Sequence, residues 1–199
     1  MKTSIVVRIA SALILSLAGV SQAGASQFKI DPVHSNVDFS VRHLVSKVNG
    51  HFKDFEGTFS FDEKKGGELK DVKFSIKTTS ISTDNEKRDG HLRSGDFFDV
   101  EKFPEMTFVS TKVTPAGKGK FKLEGNITLH GVTKPATFVV DFMGAVKNPM
   151  AAGMKAGFSA TTSLNRKDYG MIWNKALDKG ALMLGEDVSV TIGVEADSI

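Results

Sequence analysis

The sequence predicts an all-β protein: a single extended barrel of eight antiparallel strands, with a short helix or loop closing one end. Apolar and polar residues alternate with a period of two in eight segments, which is typical of half-buried antiparallel strands. Glycine-rich turn motifs separate several of these segments. The aromatic residues are 15 Phe against one Trp and one Tyr. Because Phe carries no polar group, this bias favours a dry apolar interior.

The eight predicted strands each have one apolar and one polar face. In chain order they cover residues 37–41, 55–61, 72–76, 106–113, 121–129, 136–142, 156–164 and 188–194. Glycine-containing hairpin turns are predicted at Asn49-Gly50, 65–67, 116–119 and around Gly131. Proline cannot donate to a sheet, so edge or loop positions are expected for Pro32, Pro104, Pro115, Pro135 and Pro149. Long strands joined by hairpins favour a closed barrel over the alternative, a two-sheet sandwich.

Two short helical turns are predicted outside the strands. Asp84 is a candidate N-cap for a turn through residues 85–88 that ends near Gly90 or Gly95. The second candidate covers residues 174–179.

Residues 1–23 have the features of a secretory signal peptide. Lys2 and Arg8 precede or flank a short apolar run, and small residues follow it up to Ala23. We therefore expect export, cleavage after Ala23 (with cleavage after Ala25 as the alternative) and one domain over residues 24–199. An uncleaved N-terminal anchor is the competing interpretation. Loss of Lys2 and Arg8 lowers the formal charge from +3 to +1, which gives no electrostatic reason to expect a nucleic-acid partner. The chain has no cysteine, so burial alone must stabilise the exported fold.

The segment from Arg88 to Phe108 concentrates charged and aromatic residues. It lacks the ligand spacing of common metal sites, although His34, His51 and His130 could converge on a metal through the fold. No nucleophile motif accompanies it, so neither a catalytic residue nor a metal ligand is predicted. The segment is instead interpreted as a structural rim. Ion pairs are expected to hold Arg88, His91 and Arg93, while Phe97, Phe98 and Phe103 turn inward and close one end.

Four sequence stretches carry a resemblance to a known family. These are FKIDPVHSNVDFSVRHL with GHFKDFEGTFSFD, then RDGHLRSGDFFDVEKFPEMTF, GNITLHGVTKPATF and LNRKDYGMIWN. In this order and spacing they resemble the YceI family over residues 27–196, with Phe28 where Trp or Tyr is more common. The resemblance implies a lipocalin-like barrel in the periplasm whose lumen holds a long-chain polyisoprenoid, such as an isoprenoid quinone or a similar amphiphile. It also implies a membrane cytochrome of the b561 type as a partner; a homodimer is a further expectation, and no cofactor besides the lipid is expected.

Inward-facing residues are the candidate ligand contacts. On the sequence alone a packed core is the plainer interpretation, and the resemblance favours a ligand-filled lumen instead. Small inward residues either leave space for a chain or face Phe side chains: Gly57, Gly125, Ala136, Ala156 and Ala160. The predicted ligand-binding residues are Phe39, Val41, His43, Phe59, Phe74, Ile76, Phe98, Phe108, Ile127, Phe138, Phe158 and Trp173.

Two of the candidate ligand contacts, His43 and Trp173, have open alternatives. His43 ends an apolar stripe, so it is either a head-group contact or a structural histidine. Arg166 and Trp173 are predicted as a second rim element, with a core tryptophan as the alternative.

The leading functional hypothesis is a non-enzymatic periplasmic carrier or store for an isoprenoid lipid. Burying one isoprene unit contributes about 4 kcal/mol before ordering costs, at about 0.8 kcal/mol per carbon. Three rivals stay open: an enzyme acting on a lipid in the lumen, a solid-core protein that contacts a membrane cytochrome, and a general lipid scavenger under stress. The solid-core protein would have no cavity of several hundred cubic ångströms, whereas a protein that holds a lipid in its lumen needs one.

Overall fold

A computed structural model describes residues 25–62, 67–176 and 182–199. The described residues form eleven strands and one α-helix, with these bounds: β1 Ser26–Ile30, β2 Asn36–His43, β3 Ser46–Phe52, β4 Phe55–Asp62, β5 Glu68–Lys77, β6 Ile81–Ser82, α1 Glu86–Arg93, β7 Glu105–Gly117, β8 Lys120–Leu129, β9 Val132–Lys147, β10 Met154–Asn165 and β11 Leu184–Ser198. None of the helices in the described ranges has the length and hydropathy needed to cross a bilayer. The predicted signal peptide lies outside the described residues.

Eight of the strands close into an antiparallel barrel. The order of neighbours is β1, β4, β5, β7, β8, β9, β10 and β11, and β11 pairs back onto β1. Along the edge that closes the barrel, β11 pairs with two different strands. Gly193 pairs with Asn36 of β2, and Ala196 pairs with Ile30 of β1. β2 continues into β3, which pairs with the short β6. The predicted all-β barrel is confirmed, and the two-sheet sandwich is wrong.

Aromatic rings fill one end of the barrel. Phe61 lies 4.8 Å from Phe142 and 5.1 Å from Phe158, measured between ring centroids. Phe28 stacks on Phe59 at 5.4 Å. These five rings come from β1, β4, β9 and β10 and are buried or partly buried. They therefore close the end of the barrel that carries the β7–β8 and β9–β10 turns.

The opposite end of the barrel carries α1. The N-cap residue of this helix differs from the predicted one. Asn85, not Asp84, is the N-cap: its side-chain oxygen accepts a hydrogen bond from the Arg88 N–H at 3.0 Å. Asp84 has a φ of +57°, so it turns the chain into the helix instead of capping it. The helix passes through Gly90 and ends at Arg93. The helix predicted at residues 174–179 is wrong for residues 174–176, which are not helical, and residues 177–179 lie outside the described ranges.

Three strands and two prolines also differ from the prediction. β1, β3 and β6 were not predicted, and the Asn49-Gly50 turn is wrong because both residues lie inside β3. The Phe39 ring occupies the place of a side chain at Gly50, where a Cβ would lie 2.4 Å from Phe39 Cζ. Pro115 and Pro135 lie within β7 and β9. β9 tolerates Pro135 because, among the described residues, β10 pairs with β9 only from Val139 onward.

Candidate ligand-binding cavity

The barrel encloses a cavity of about 360 Å³. Its wall is formed by inward-facing side chains of the barrel strands, β2 and β3, and by residues of α1 and the loop between β10 and β11. His91 lines the cavity while its side chain is 41% exposed, so the cavity reaches the surface at the α1 end. The volume lies within the range of small-molecule pockets. A fully packed interior, the alternative from sequence, is therefore wrong.

All twelve residues predicted as ligand contacts lie at the cavity wall. They are Phe39, Val41, His43, Phe59, Phe74, Ile76, Phe98, Phe108, Ile127, Phe138, Phe158 and Trp173. Strand alternation brings most of them together, because residues two apart share one face of the sheet. Their contact with a ligand stays a prediction.

Two glycines of the barrel strands make room for aromatic rings. A Cβ on Gly125 would lie 2.5 Å from Phe108 Cζ and 2.4 Å from the Val109 carbonyl oxygen. A Cβ on Gly57 would lie 2.9 Å from the Phe74 ring. Two of the predicted small residues thus face Phe side chains, whereas Ala160 lines the cavity itself.

Thr83 and Asp89 organise the chain entering α1. Thr83 donates from its backbone N–H and its hydroxyl to Asp89 Oδ1, the former at 2.8 Å. Arg88 Nε donates to the Thr83 hydroxyl at 2.7 Å, and Arg88 Nη2 to the Thr83 carbonyl at 2.9 Å. Burial raises the pKa of Asp89, but the Thr83 hydrogen bonds and the nearby Arg93 and Arg88 outweigh it and leave the pKa lowered. Arg88 thereby reaches the cavity wall in a fixed orientation.

The rim arginines bind backbone carbonyls, not the carboxylates that the sequence interpretation expected. Arg93 Nε donates to the Thr79 carbonyl at 2.9 Å and Arg93 Nη2 to the Ile81 carbonyl at 2.7 Å. Arg93 therefore ties α1 to β6 outside the cavity wall. Of the predicted rim residues, His91 is the one with a carboxylate partner at hydrogen-bond distance in the described ranges, Asp96 at 2.8 Å.

Two of the three phenylalanines predicted to close this end do face the cavity. Phe97 and Phe98 line it, and Phe98 packs edge-on against Phe52 at 5.7 Å. The prediction for Phe103 is wrong. Its ring centroid lies 4.6 Å from that of His130. The ring also covers Gly131, which has no side chain that would obstruct the ring.

Arg166 is buried beneath the loop that follows β10, at 4% exposure. Its Nε donates to the Gly185 carbonyl at 2.9 Å, and its Nη1 donates to the carbonyls of Met171 and Trp173. Its Nη2 is buried and has no partner within the described ranges. Burial lowers the pKa of Arg166, against a smaller opposing effect of Glu186. Arg166, which was predicted at the rim, thus lies inside the protein at the cavity wall and binds three backbone carbonyls.

Trp173 is half-buried at the wall, so neither a fully exposed rim nor a core position describes it. Its indole contacts the His91 ring at 4.9 Å and the Phe97 ring at 5.3 Å. α1 and the loop after β10 therefore meet over the same end of the cavity.

Sequence reasoning missed several wall residues. Phe52 lies in β3, which was not predicted, and Leu92 lies in the part of α1 beyond the predicted turn. Four more come from the loop between β10 and β11 and from the start of β11: Tyr169, Met171, Met183 and Leu184. Loop residues have no period, so only the apolar character of Met171, Met183 and Leu184 could have suggested them.

One group of potential metal ligands lies elsewhere. Asp31, His34 and Glu195 bring ligand atoms within 4.8 Å of one another. Lys155 Nζ lies 2.8 Å from Glu195 Oε1 and 3.4 Å from Asp31 Oδ2, so an ammonium group already neutralises these carboxylates. His130 is not part of this group, since its Nδ1 lies 3.0 Å from the Tyr169 carbonyl.

Comparisons with known proteins agree with this architecture. A family model for the YceI-like domain matches residues 28–196. A UPF0312 protein of Pseudomonas putida strain W619 is 41% identical over 189 residues, covering 94% of each chain. The crystal structure of Campylobacter jejuni YCEI protein is 31% identical, with a TM-score of 0.69 over 79% of this chain and 90% of that one.

A more distant structure shares the fold alone. The polyisoprenoid binding domain from Saccharophagus degradans, implicated in plant cell wall breakdown, is 14% identical, with a TM-score of 0.63 over 86% of this chain and 98% of that one. The family-model match spans nearly all of the described barrel and includes each of the four sequence stretches that carry the resemblance. On this match the chain belongs to the YceI-like domain family.

Proposed function

We propose that this protein binds a long-chain isoprenoid lipid in its barrel and carries or stores it in the periplasm. The observation that carries the proposal is the cavity of about 360 Å³ with its largely apolar wall. Membership of the YceI-like family supports it, as does the shared fold of a domain described as polyisoprenoid binding.

The wall suits a hydrocarbon chain because most of it consists of Phe and aliphatic side chains. An isoprene unit that leaves water for this wall contributes about 4 kcal/mol before the cost of ordering the chain. A few units therefore suffice for a complex that survives purification. The aromatic rings of Phe61 and Phe142 close the far end, so the chain enters past α1 and Trp173.

The residues of the cavity wall favour a protein that binds a ligand without catalysis. Within the described ranges, the carboxylates with a lowered pKa are Asp31, Asp89, Glu124 and Glu186. None of these four belongs to the cavity wall. The wall residues with a shifted pKa are Arg166, whose pKa burial lowers although its guanidinium stays charged, and Tyr169, whose pKa burial raises so that its hydroxyl stays protonated. The rival enzyme needs a group in the cavity that gains or loses a proton near neutral pH.

Native mass spectrometry tests this function directly. The mature protein is purified from its own cells without detergent, and its mass is compared before and after solvent extraction. We expect a discrete added mass that extracts as an isoprenoid. A bare protein mass that persists after incubation with isoprenoid-containing vesicles would falsify the proposal.

Location, specificity and partners are further parts of the proposal. Cell fractionation tests the periplasmic location, with the mature N-terminus read by peptide sequencing. Ligand extraction from stressed and unstressed cells separates a specific carrier from a general scavenger. A membrane cytochrome of the b561 type and a homodimer stay predictions, and light scattering on the lipid-loaded protein measures the second.

A further inference from the structure

The polar side chains of the cavity wall gather at one end. His43, Arg88, His91, Arg166, Tyr169 and Trp173 lie where α1, the end of β2 and the loop after β10 meet. Contacts connect them: Arg166 binds the Trp173 carbonyl, and the Trp173 ring contacts His91. Apart from Asp38 and Thr107, the remaining wall residues are apolar.

Three groups at this end are hydrogen-bond donors without a partner. Arg166 Nη2 is buried and unpaired within residues 25–62, 67–176 and 182–199. In the same ranges the Tyr169 hydroxyl and the Trp173 indole N–H make no hydrogen bond; each residue engages only its carbonyl oxygen. Burial raises the pKa of Tyr169, so its O–H stays protonated and able to donate.

The acceptors near these donors each receive a hydrogen bond from another donor. The carbonyls of Gly185, Met171 and Trp173 accept from Nε and Nη1 of Arg166. The carboxylate of Glu186 binds Lys167, and that of Asp96 binds His91. This end of the cavity therefore holds donors that have no acceptor, and a buried donor without an acceptor is unfavourable.

We infer that the Arg166–Tyr169–Trp173 end of the cavity binds acceptor oxygens of the ligand's head group, with the apolar tail directed toward Phe59 and Phe158. The inference rests on the proposed function, because it requires a ligand in the cavity. The matching chemistry is an oxygen that accepts and has no need to donate, either a quinone carbonyl or a phosphate oxygen. Arg166 adds a positive charge with no carboxylate bound to it, which favours hydrogen bonds to such oxygens.

Ligands that share one tail test this inference on the unmodified protein. Calorimetric titration of the lipid-free protein compares a quinone, a monophosphate and a plain hydrocarbon, each with the same tail of four isoprene units. We expect at least one oxygen-bearing ligand to bind about tenfold or more tightly than the hydrocarbon. The affinities for the quinone and the monophosphate show whether the site prefers a neutral carbonyl oxygen or an anionic phosphate oxygen. Equal affinity for all three overturns the inference and leaves the proposed function intact, whereas binding of none overturns the proposed function.

Two variants assign the preference to these residues. Arg166→Lys keeps the positive charge but has a single nitrogen, which the neighbouring carbonyls occupy. Tyr169→Phe removes only the hydroxyl, so it keeps the test valid if Arg166→Lys does not fold. In each folded variant we expect the ratio of the affinity for the oxygen-bearing ligand to the affinity for the hydrocarbon to fall about three- to tenfold.

The control is Arg42→Lys, an exposed arginine of β2 outside the cavity wall. It is expected to keep the full preference. Full preference in every folded variant of Arg166 and Tyr169 overturns the inference, as does an equal loss in the Arg42 control.

Discussion

The indole of Trp173 lies edge-on to the imidazole of His91, with the ring centroids 4.9 Å apart and the ring planes at 89°. His91 belongs to α1, and Trp173 to the loop after β10. Both residues line the cavity. This contact therefore joins the two elements between which a ligand must pass to reach the barrel interior.

Trp173 should report ligand binding through its fluorescence. It is the only tryptophan in the chain and lies at the cavity wall. A quinone bound beside it is expected to quench its emission, because quinones accept excitation at short range. Titration of the lipid-free protein with a short-tailed quinone measures the effect, and Trp173→Phe removes the signal as the control. Quenching that does not saturate contradicts a binding site next to the indole.

Ala160→Phe is expected to block lipid binding without unfolding the barrel. Ala160 lines the cavity from β10, so a phenyl ring there takes up space that the tail needs. Extra volume is tolerated because it enters a void and not a filled core. Retained lipid is measured by native mass spectrometry and stability by thermal unfolding.

The matched control for that variant is Thr161→Phe, the next residue of β10, which is exposed. It adds the same ring on the opposite face of the strand. Full lipid occupancy in Ala160→Phe, or equal loss in both variants, contradicts binding inside the barrel.

Gly125→Ala should destabilise the fold by about 1–3 kcal/mol, the usual cost of overpacking a tight position. The new Cβ would lie 2.4 Å from the backbone oxygen of Val109 and 2.5 Å from the Phe108 ring. Gly157→Ala is the control, because its nearest neighbour would be Met143 Cβ at an ordinary 3.5 Å. Urea unfolding measures both free energies. Equal stability of the two variants contradicts the close ring packing at Gly125.

Much of the barrel follows from residue alternation. Segments such as 121–129 and 156–164 match β8 and β10 closely, because one face of each strand meets the interior and the other meets water. The same parity places Phe39 and Phe138 at the cavity wall. The order of residues along a strand thus predicts which face of the strand points inward.

Other features depend on contacts between distant residues. Asn49-Gly50 resembles a turn, yet Gly50 stays in β3 because the Phe39 ring fills the space beside it. Arg166 resembles a surface arginine, but three carbonyls from residues 171–185 bind it in the interior. Neither the ring nor these carbonyls can be identified before the strands are paired, so no local pattern predicts these positions.

Asp31 belongs to a charged group at the junction of β1 and β11. Its carboxylate accepts a hydrogen bond from His34 Nδ1 at 2.7 Å and lies 3.4 Å from Lys155 Nζ. The His34 hydrogen bond lowers the pKa of Asp31 from 3.8 to about 2, against the opposing effect of burial. The same hydrogen bond raises the pKa of His34 above 6.5.

Asp31→Asn is expected to flatten the pH dependence of the free energy of unfolding in two windows. The lowered pKa of Asp31 stabilises the wild type above pH 3.8, and this stabilisation is lost as the pH falls to about 2. The raised pKa of His34 stabilises it below pH 6.5, and this is lost as the pH rises through the folded-state pKa. Urea unfolding across both windows measures the slopes, with the exposed Asp187→Asn as control. Slopes in Asp31→Asn that match the wild type contradict the linkage.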